Sequence, residues 1–197
     1  LNLNNSGTMG ISGTGTRTLT LTGTNTGDNI LAVAVINDLS SNATSIVKSG
    51  TGKWILTGDN TATGTVTLSS GTLQIGNAGT TGSISGNVSN SANLVFNRSD
   101  SYSYNGSISG SGSVSQNGLG TLILSGTNSY TGITAVNDGI LSVSSMANGG
   151  SNSNIGASSS AAGNLVINRG TLKYTGGAQS SNRLFTIGVN GATIDAS

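Results

Sequence analysis

The side chains able to do acid, base or nucleophilic work are few in this chain and poorly arranged for it. Every acid is an aspartate: Asp28, Asp38, Asp59, Asp100, Asp138 and Asp195. Glycosidic hydrolysis needs two carboxyls roughly 5 to 9 Å apart, and the chain contains no Asp-x-Asp pair. In the duplicated segments described next, Asp59 falls opposite Thr127 and Asp138 opposite Ser70, so no acid recurs in register. Only a pairing across neighbouring coils would join two of them; turn formation is their simpler role. Serine and threonine are abundant, but with no His and no Cys the common bases of a nucleophilic triad are missing. Gly149 and Gly150 run into Ser-Asn-Ser-Asn without the aspartate of a calcium-binding GGxGxD repeat. The sequence therefore offers no catalytic, cofactor or metal residues.

Three aromatics have the chemistry of a contact surface. Tyr102 and Tyr104 lie two apart, on one face of a strand, and Tyr130 lies in an Asn-Ser-Tyr-Thr-Gly corner. An exposed tyrosine can stack on a sugar, and equally can pile on its neighbours in a stacked sheet. Trp54 takes the place of Leu122 and Leu19 in related segments and reads as core.

The elements that hold these residues are built by repetition. Residues 50–76 reappear without a gap at 118–144, sharing Gly50/Gly118, Gly52/Gly120, Leu56/Leu124, Gly58/Gly126, Asn60/Asn128, Gly64/Gly132, Gly71/Gly139 and Leu73/Leu141. A second pair, NLVFNR at 93–98 and NLVINR at 164–169, is separated by nearly the same interval, so the whole block is expected to recur. Apolar residues sit two apart throughout, as in Leu73/Ile75, Leu94/Phe96, Leu122/Leu124, Leu141/Val143 and Leu165/Ile167. That is the period of a strand face. Asn105-Gly106, Asn117-Gly118, Asn137-Asp138-Gly139 and Asn190-Gly191 supply corners.

Composition agrees. The 197 residues include 32 Gly, no Pro and no Glu, and only 7% are charged. Such a chain lacks helix formers, and its ordered apolar pairs argue against disorder. A net charge of +1 with dispersed cations gives no footprint for nucleic acid or an anionic membrane surface. The longest apolar run, residues 30–36, is too short to span a bilayer, and no signal peptide is visible. We expect an all-β fold, a parallel β-helix or β-solenoid running over 1–197 as one continuous domain. At roughly 20 to 25 residues per coil it would form on the order of eight to ten coils and a rod about 40 to 50 Å long. The least repetitive piece, 146–162, is expected to bulge as a loop. Both ends read as cuts through a longer rod, which would leave apolar end coils prone to end-to-end self-association.

The segment 94–144 closely resembles the passenger-associated transport repeat of Gram-negative autotransporters, whose pattern runs G-x-G-x-L-x-L-x-G-x-N-x-Y-x-G-x-T, then a turn and G-x-L-x-V. Gly118, Gly120, Leu122, Leu124, Gly126, Asn128, Tyr130, Gly132, Thr134, Gly139, Leu141 and Val143 fill it in order. The copy at 50–76 departs at Trp54 for Leu, Ala62 for Tyr and Val66 for Thr. The resemblance covers most of 49–175. It implies a right-handed parallel β-helix exported to the cell surface through an outer-membrane β-barrel translocator, with the repeat aiding translocation and folding. It implies no catalytic residue, because such passengers carry their activities in added domains or loops. The leading expectation is a structural, surface-displayed stalk that can meet a host surface or glycan. An extracellular filament segment is the alternative, and a polysaccharide-active enzyme comes third.

Overall fold

Strand-forming residues at alternate positions, broken every few residues by Gly, Asn or Ser, cannot sustain long strands. The computed structural model, which describes residues 1–197, accordingly contains nineteen short ones. In chain order these are β1 (Asn2–Leu3), β2 (Arg17–Leu21), β3 (Asn29–Leu31), β4 (Thr44–Lys48), β5 (Lys53–Leu56), β6 (Val66–Leu68) and β7 (Thr72–Gly79). There follow β8 (Val88–Asn90), β9 (Asn93–Arg98), β10 (Ser101–Tyr104), β11 (Ile108–Ser109), β12 (Ser113–Gln116) and β13 (Thr121–Leu124). The last are β14 (Thr134–Val136), β15 (Ile140–Val143), β16 (Leu165–Ile167), β17 (Thr171–Tyr174), β18 (Thr186–Ile187) and β19 (Thr193–Asp195). The one helical element is a single 3₁₀ turn, Ala162–Asn164.

The strands stack in parallel as three sheets. A long sheet takes one strand from every coil, in the order β1-β3-β5-β7-β9-β12-β14-β16-β18. An N-terminal sheet, β2-β4-β6-β8-β11, and a C-terminal sheet, β10-β13-β15-β17-β19, form the other sides. The chain thus winds as a parallel β-helix of nine coils, about 40 Å long at the ~4.8 Å spacing of paired strands. A full circuit is seen in β9, β10, β11 and β12, which visit the long, C-terminal, N-terminal and again the long sheet.

Register explains the alternating sequence. Leu31, Leu56, Ile75, Phe96, Gln116, Val136, Ile167 and Ile187 lie one above another, as do Tyr102, Leu122, Leu141, Leu172 and Ile194. Their parity turns them inward, and the apolar ones of the middle coils join a single apolar core of 28 buried residues; Ile187 and Ile194, in the last coil, stay exposed. Trp54 belongs to it, its indole N–H donating to Thr22 O at 3.1 Å.

The two repeat spacings, nearly equal in sequence, mean different things in space. Leu94, Val114, Thr134 and Leu165 occupy one position in four successive coils, so NLVFNR and NLVINR lie on the same side of the rod. The copies at 50–76 and 118–144 do not. Trp54–Leu56 is in the long sheet, whereas its counterpart Leu122–Leu124 is in the C-terminal sheet; Val66 is in the N-terminal sheet and its counterpart Thr134 in the long one. The copies are therefore three turns and one further side apart, and the expected recurrence of a single large block is corrected to two independent periodicities. Segment 146–162 is likewise divided. Residues 153–158 continue the rod wall, with Ile155 1% exposed and the amide of Ala157 donating to Tyr130 O at 2.7 Å. Only the preceding residues project outward.

Polar side chains that face inward finish the strands by donating to corner carbonyls. Gln116 Nε2 reaches Gly118 O at 2.8 Å and Gly120 O at 3.0 Å. Asn90 Nδ2 reaches Ser113 O at 2.9 Å. The fully buried Lys48 places Nζ 2.9, 2.8 and 3.0 Å from the carbonyls of Ser49, Gly50 and Ser70. Those contacts use all three ammonium protons, and no carboxylate pairs with it. Burial holds its pKa below the ordinary lysine value.

Two outcomes follow from this packing. Leu124, 1% exposed, should lose about 2 to 5 kcal/mol on replacement by Ala, whereas Ser125→Ala, at an exposed position, should stay within about 0.5 kcal/mol in denaturant unfolding; equal losses would show the strand phase to be wrong. For Lys48 the folded pKa lies below the unfolded one, so between the two the unfolded chain binds the extra proton and stability rises with pH. The stability difference between wild type and Lys48→Met should therefore move in favour of wild type as pH climbs from neutral toward about 10.4. Parallel pH profiles would rule out a desolvated ammonium.

Candidate functional site

Electrostatically the rod is neutralised in place. All six aspartates are ion-paired: Asp38 with Arg17 at 3.2 Å, Asp28 with Lys53 at 2.9 Å, Asp195 with Lys173 at 3.3 Å, Asp138 with Arg169, and both Asp100 and Asp59 with Arg98, at 2.8 and 3.8 Å. Asp38 also accepts from the side-chain and backbone amides of Asn42 and the backbone N–H of Gly15, which together hold its carboxyl well below the usual range. Hydrogen bonding from Arg98 lowers Asp100 too. A lowered carboxyl pKa is the opposite of what a general acid needs, and nowhere do three metal-ligating side chains gather. The Ser-x-x-Lys spelling at Ser45 to Lys48 carries no nucleophile, because strand parity turns Lys48 into the core and Ser45 outward.

The aromatic candidates are placed differently from the surface role considered for them. Tyr102 and Tyr104 do share a face, but it is the inner one, each ring lying 6.0 Å from Phe96. Tyr104 is 1% exposed and donates to Gly86 O at 2.8 Å; burial raises its pKa far above the ordinary tyrosine value. Tyr102 is half-buried, with its hydroxyl donating to Ile84 O at 2.9 Å and Arg98 lying 4.9 Å over its ring. A desolvated phenol needs a partner and the previous coil supplies it, so Tyr104 is withdrawn as a surface contact. Tyr130 is fully buried, hydrogen-bonded to Thr134 Oγ1 at 2.7 Å.

What the structure brings together are the repeat-motif residues, and their work is stacking. Asn128 accepts from the backbone N–H of Ile108 at 2.8 Å in the coil before and donates to Asn154 O at 2.7 Å in the coil after. Asn60 does the same between Val35 N–H, at 2.6 Å, and Ser83 O, at 2.8 Å. One buried amide thus satisfies two backbone groups that no strand pairs. At Gly118, Gly120, Gly126 and Gly132 a Cβ would fall on a backbone carbonyl of the preceding coil; Gly139 in addition has φ 50°. Leu122, Leu124, Leu141 and Val143 fill the core between these corners.

One feature lies outside the motif. Residues 145–152 project from the rod, and residues 175–182 of the next coil project beside them. Met146 N–H donates to Gln179 Oε1 at 2.8 Å, Gly149 N–H to Asn182 Oδ1 at 2.8 Å, and Asn182 N–H to Asn148 Oδ1 at 3.0 Å. Arg183 has no carboxylate partner; its guanidinium donates to Ala147 O, Gly156 O, Ser158 O and Ser158 Oγ at 2.9 to 3.1 Å and to Ser151 O at 3.3 Å. Burial pulls its pKa down. The first half of this ridge falls in the segment expected to bulge; its partner 175–182 and the role of Arg183 were not legible in sequence, since a lone Arg in a Ser- and Asn-rich stretch carries no pattern.

With this geometry in view, the comparisons with known proteins are specific. The passenger-associated transport repeat family model matches residues 46–75 and 114–143, the two copies that lie one side apart. A curated relative, described as the adhesin BmaC autotransporter of Brucella suis biovar 1 (strain 1330), is 44% identical over 178 residues, covering 73% of this chain and 5% of its own length. The chain thus spans about one-twentieth of that relative. No solved structure matches it significantly. Two matched repeats, each contributing buried corner residues to a parallel β-helix, and this relative together show that the chain belongs to the autotransporter passengers that carry the passenger-associated transport repeat.

Proposed function

We propose that the chain is a length of passenger stalk, exported through an outer-membrane β-barrel translocator and held at the cell surface as a rigid spacer. The observation that carries this reading is the use of the motif residues. Asn60, Asn128 and the corner glycines join one coil to the next, and no reactive group stands among them. A solenoid of this kind is stable only through its neighbours, so it can form coil by coil as chain emerges from a pore and needs no disulfide to finish. The printed name of the relative is that of an adhesin, and on this reading the present segment carries or lends adhesive surface to a host cell or glycan. We assign it no turnover, since every aspartate is engaged by a cation and no triad base exists.

An end-to-end filament is favoured by a separate observation. The first coil presents Leu1 and Leu3, and the last presents Leu184, Ile187, Val189 and Ile194, all at least 47% exposed. In that case sedimentation of the isolated chain should show association that grows with concentration and is suppressed by Ile187→Lys; a monomer at every concentration removes the filament.

The stalk is tested by display. Placed between a secretion signal and an outer-membrane barrel, the chain should reach the outside and resist protease as a folded rod. Asn128→Ala and Gly120→Val, which unseat one coil, should lower the protease-resistant surface fraction severalfold, while Ser125→Ala leaves it unchanged. Retention of the wild-type chain in the periplasm, or equal display of folded rod by all variants, would overturn the reading.

A further inference from the structure

The ridge of residues 145–152 and 175–182 stands outside the stacked sheets, touching the core through Met146, and is fixed by many polar links. Fixed protrusions on a rigid scaffold are where binding surfaces are usually built. Against the ridge lies a cleft of 140 Å³ lined by Met146, Tyr174, Gln179, Ser180 and Ser181.

The lining chemistry narrows the ligand. Tyr174 is half-buried, and its hydroxyl donates to Gly177 O at 2.6 Å, with Gln179 Oε1 at 3.2 Å as the alternative acceptor, so the ring is held before any ligand arrives. An immobilised aromatic face next to an unbranched thioether suits the C–H face of a pyranose. Gln179 and Ser180 are exposed at the rim and offer the amide Nε2 as a donor and one hydroxyl as donor and acceptor, whereas Gln179 Oε1 is held by Met146 N–H and the Ser181 hydroxyl donates to Ala147 O. No charged side chain lines the cleft, and the nearby Arg183 spends its guanidinium on loop carbonyls. A phosphate, a sialic acid or a basic peptide would find no countercharge there. We propose that this cleft binds one uncharged pyranose ring, stacked on Tyr174 and hydrogen-bonded by Gln179 Nε2 and the Ser180 hydroxyl, with Arg183 as the positioning residue that holds the ridge. The proposal rests on the adhesive part of the function above and is independent of the stalk.

The whole 197-residue chain, labelled for amide spectra, is titrated with the methyl glycosides of glucose, galactose, mannose and N-acetylglucosamine up to about 50 mM, enough to occupy a site with a Kd of about 10 mM. At least one glycoside should shift amides of 145–149 and 174–182 and leave the rest of the rod in place. Tyr174→Ala should weaken that binding at least tenfold. Should Tyr174→Ala disturb the fold, Ser180→Trp, which fills the cleft from an exposed position, should abolish the shifts while amides outside the ridge stay unchanged. No shift with any of the four sugars overturns the proposal, as do shifts centred elsewhere on the rod or undiminished binding by Ser180→Trp. Failure here with normal surface display would leave the stalk standing; failure of display with sugar binding intact would do the reverse.

Discussion

Hydrogen bonding along the axis of the rod governs everything else in this molecule. Each coil must offer its N–H and C=O groups to the coils on either side, and the strands do so in register through the long sheet from β1 to β18. At the corners, where strands stop, the demand persists without a ladder to meet it. The chain answers with two devices. Glycine lets backbone lie directly on backbone, as Gly118 does on Arg98 and Gly120 on Asp100. Buried amides and one buried ammonium take up what remains, as Asn60, Asn90, Gln116, Asn128 and Lys48 do.

The polar interior therefore has a different meaning from that in an enzyme. Lys48 and Arg183 are the two cations without a carboxylate, and in an active site such groups would suggest a nucleophile or an anion clamp. Here each is surrounded by backbone carbonyls. Charge is used to close turns. The tyrosines follow the same rule, with Tyr104 and Tyr102 giving their hydroxyls to the carbonyls of Gly86 and Ile84 in the preceding coil.

Much of this was legible in the sequence. Alternation at Leu122/Leu124 and Leu141/Val143 gave the strands and their inner face, and the Gly and Asn corners gave the turns, because both are local properties of a few residues. The side on which an aromatic lies is not local. Tyr102 and Tyr104 share parity, but whether that parity faced the core was decided by Phe96 in the neighbouring strand. The role of Asn128 was hidden for the same reason, since its partners Ile108 and Asn154 are remote in sequence. Residues 153–158 lacked a recognisable alternation, yet backbone hydrogen bonds to Asn128 and Tyr130 hold them as wall.

The displacement of the two repeat copies by one side of the rod also bears on how such rods change in length. Duplicating a stretch equal to the interval between 50 and 118 advances everything beyond it by a third of a turn, whereas duplicating the interval from 94 to 165 leaves the azimuth unchanged. Two insertions of nearly the same size would thus present any downstream protrusion in different directions around the axis. In a rod built this way, copy number would set bearing as well as reach.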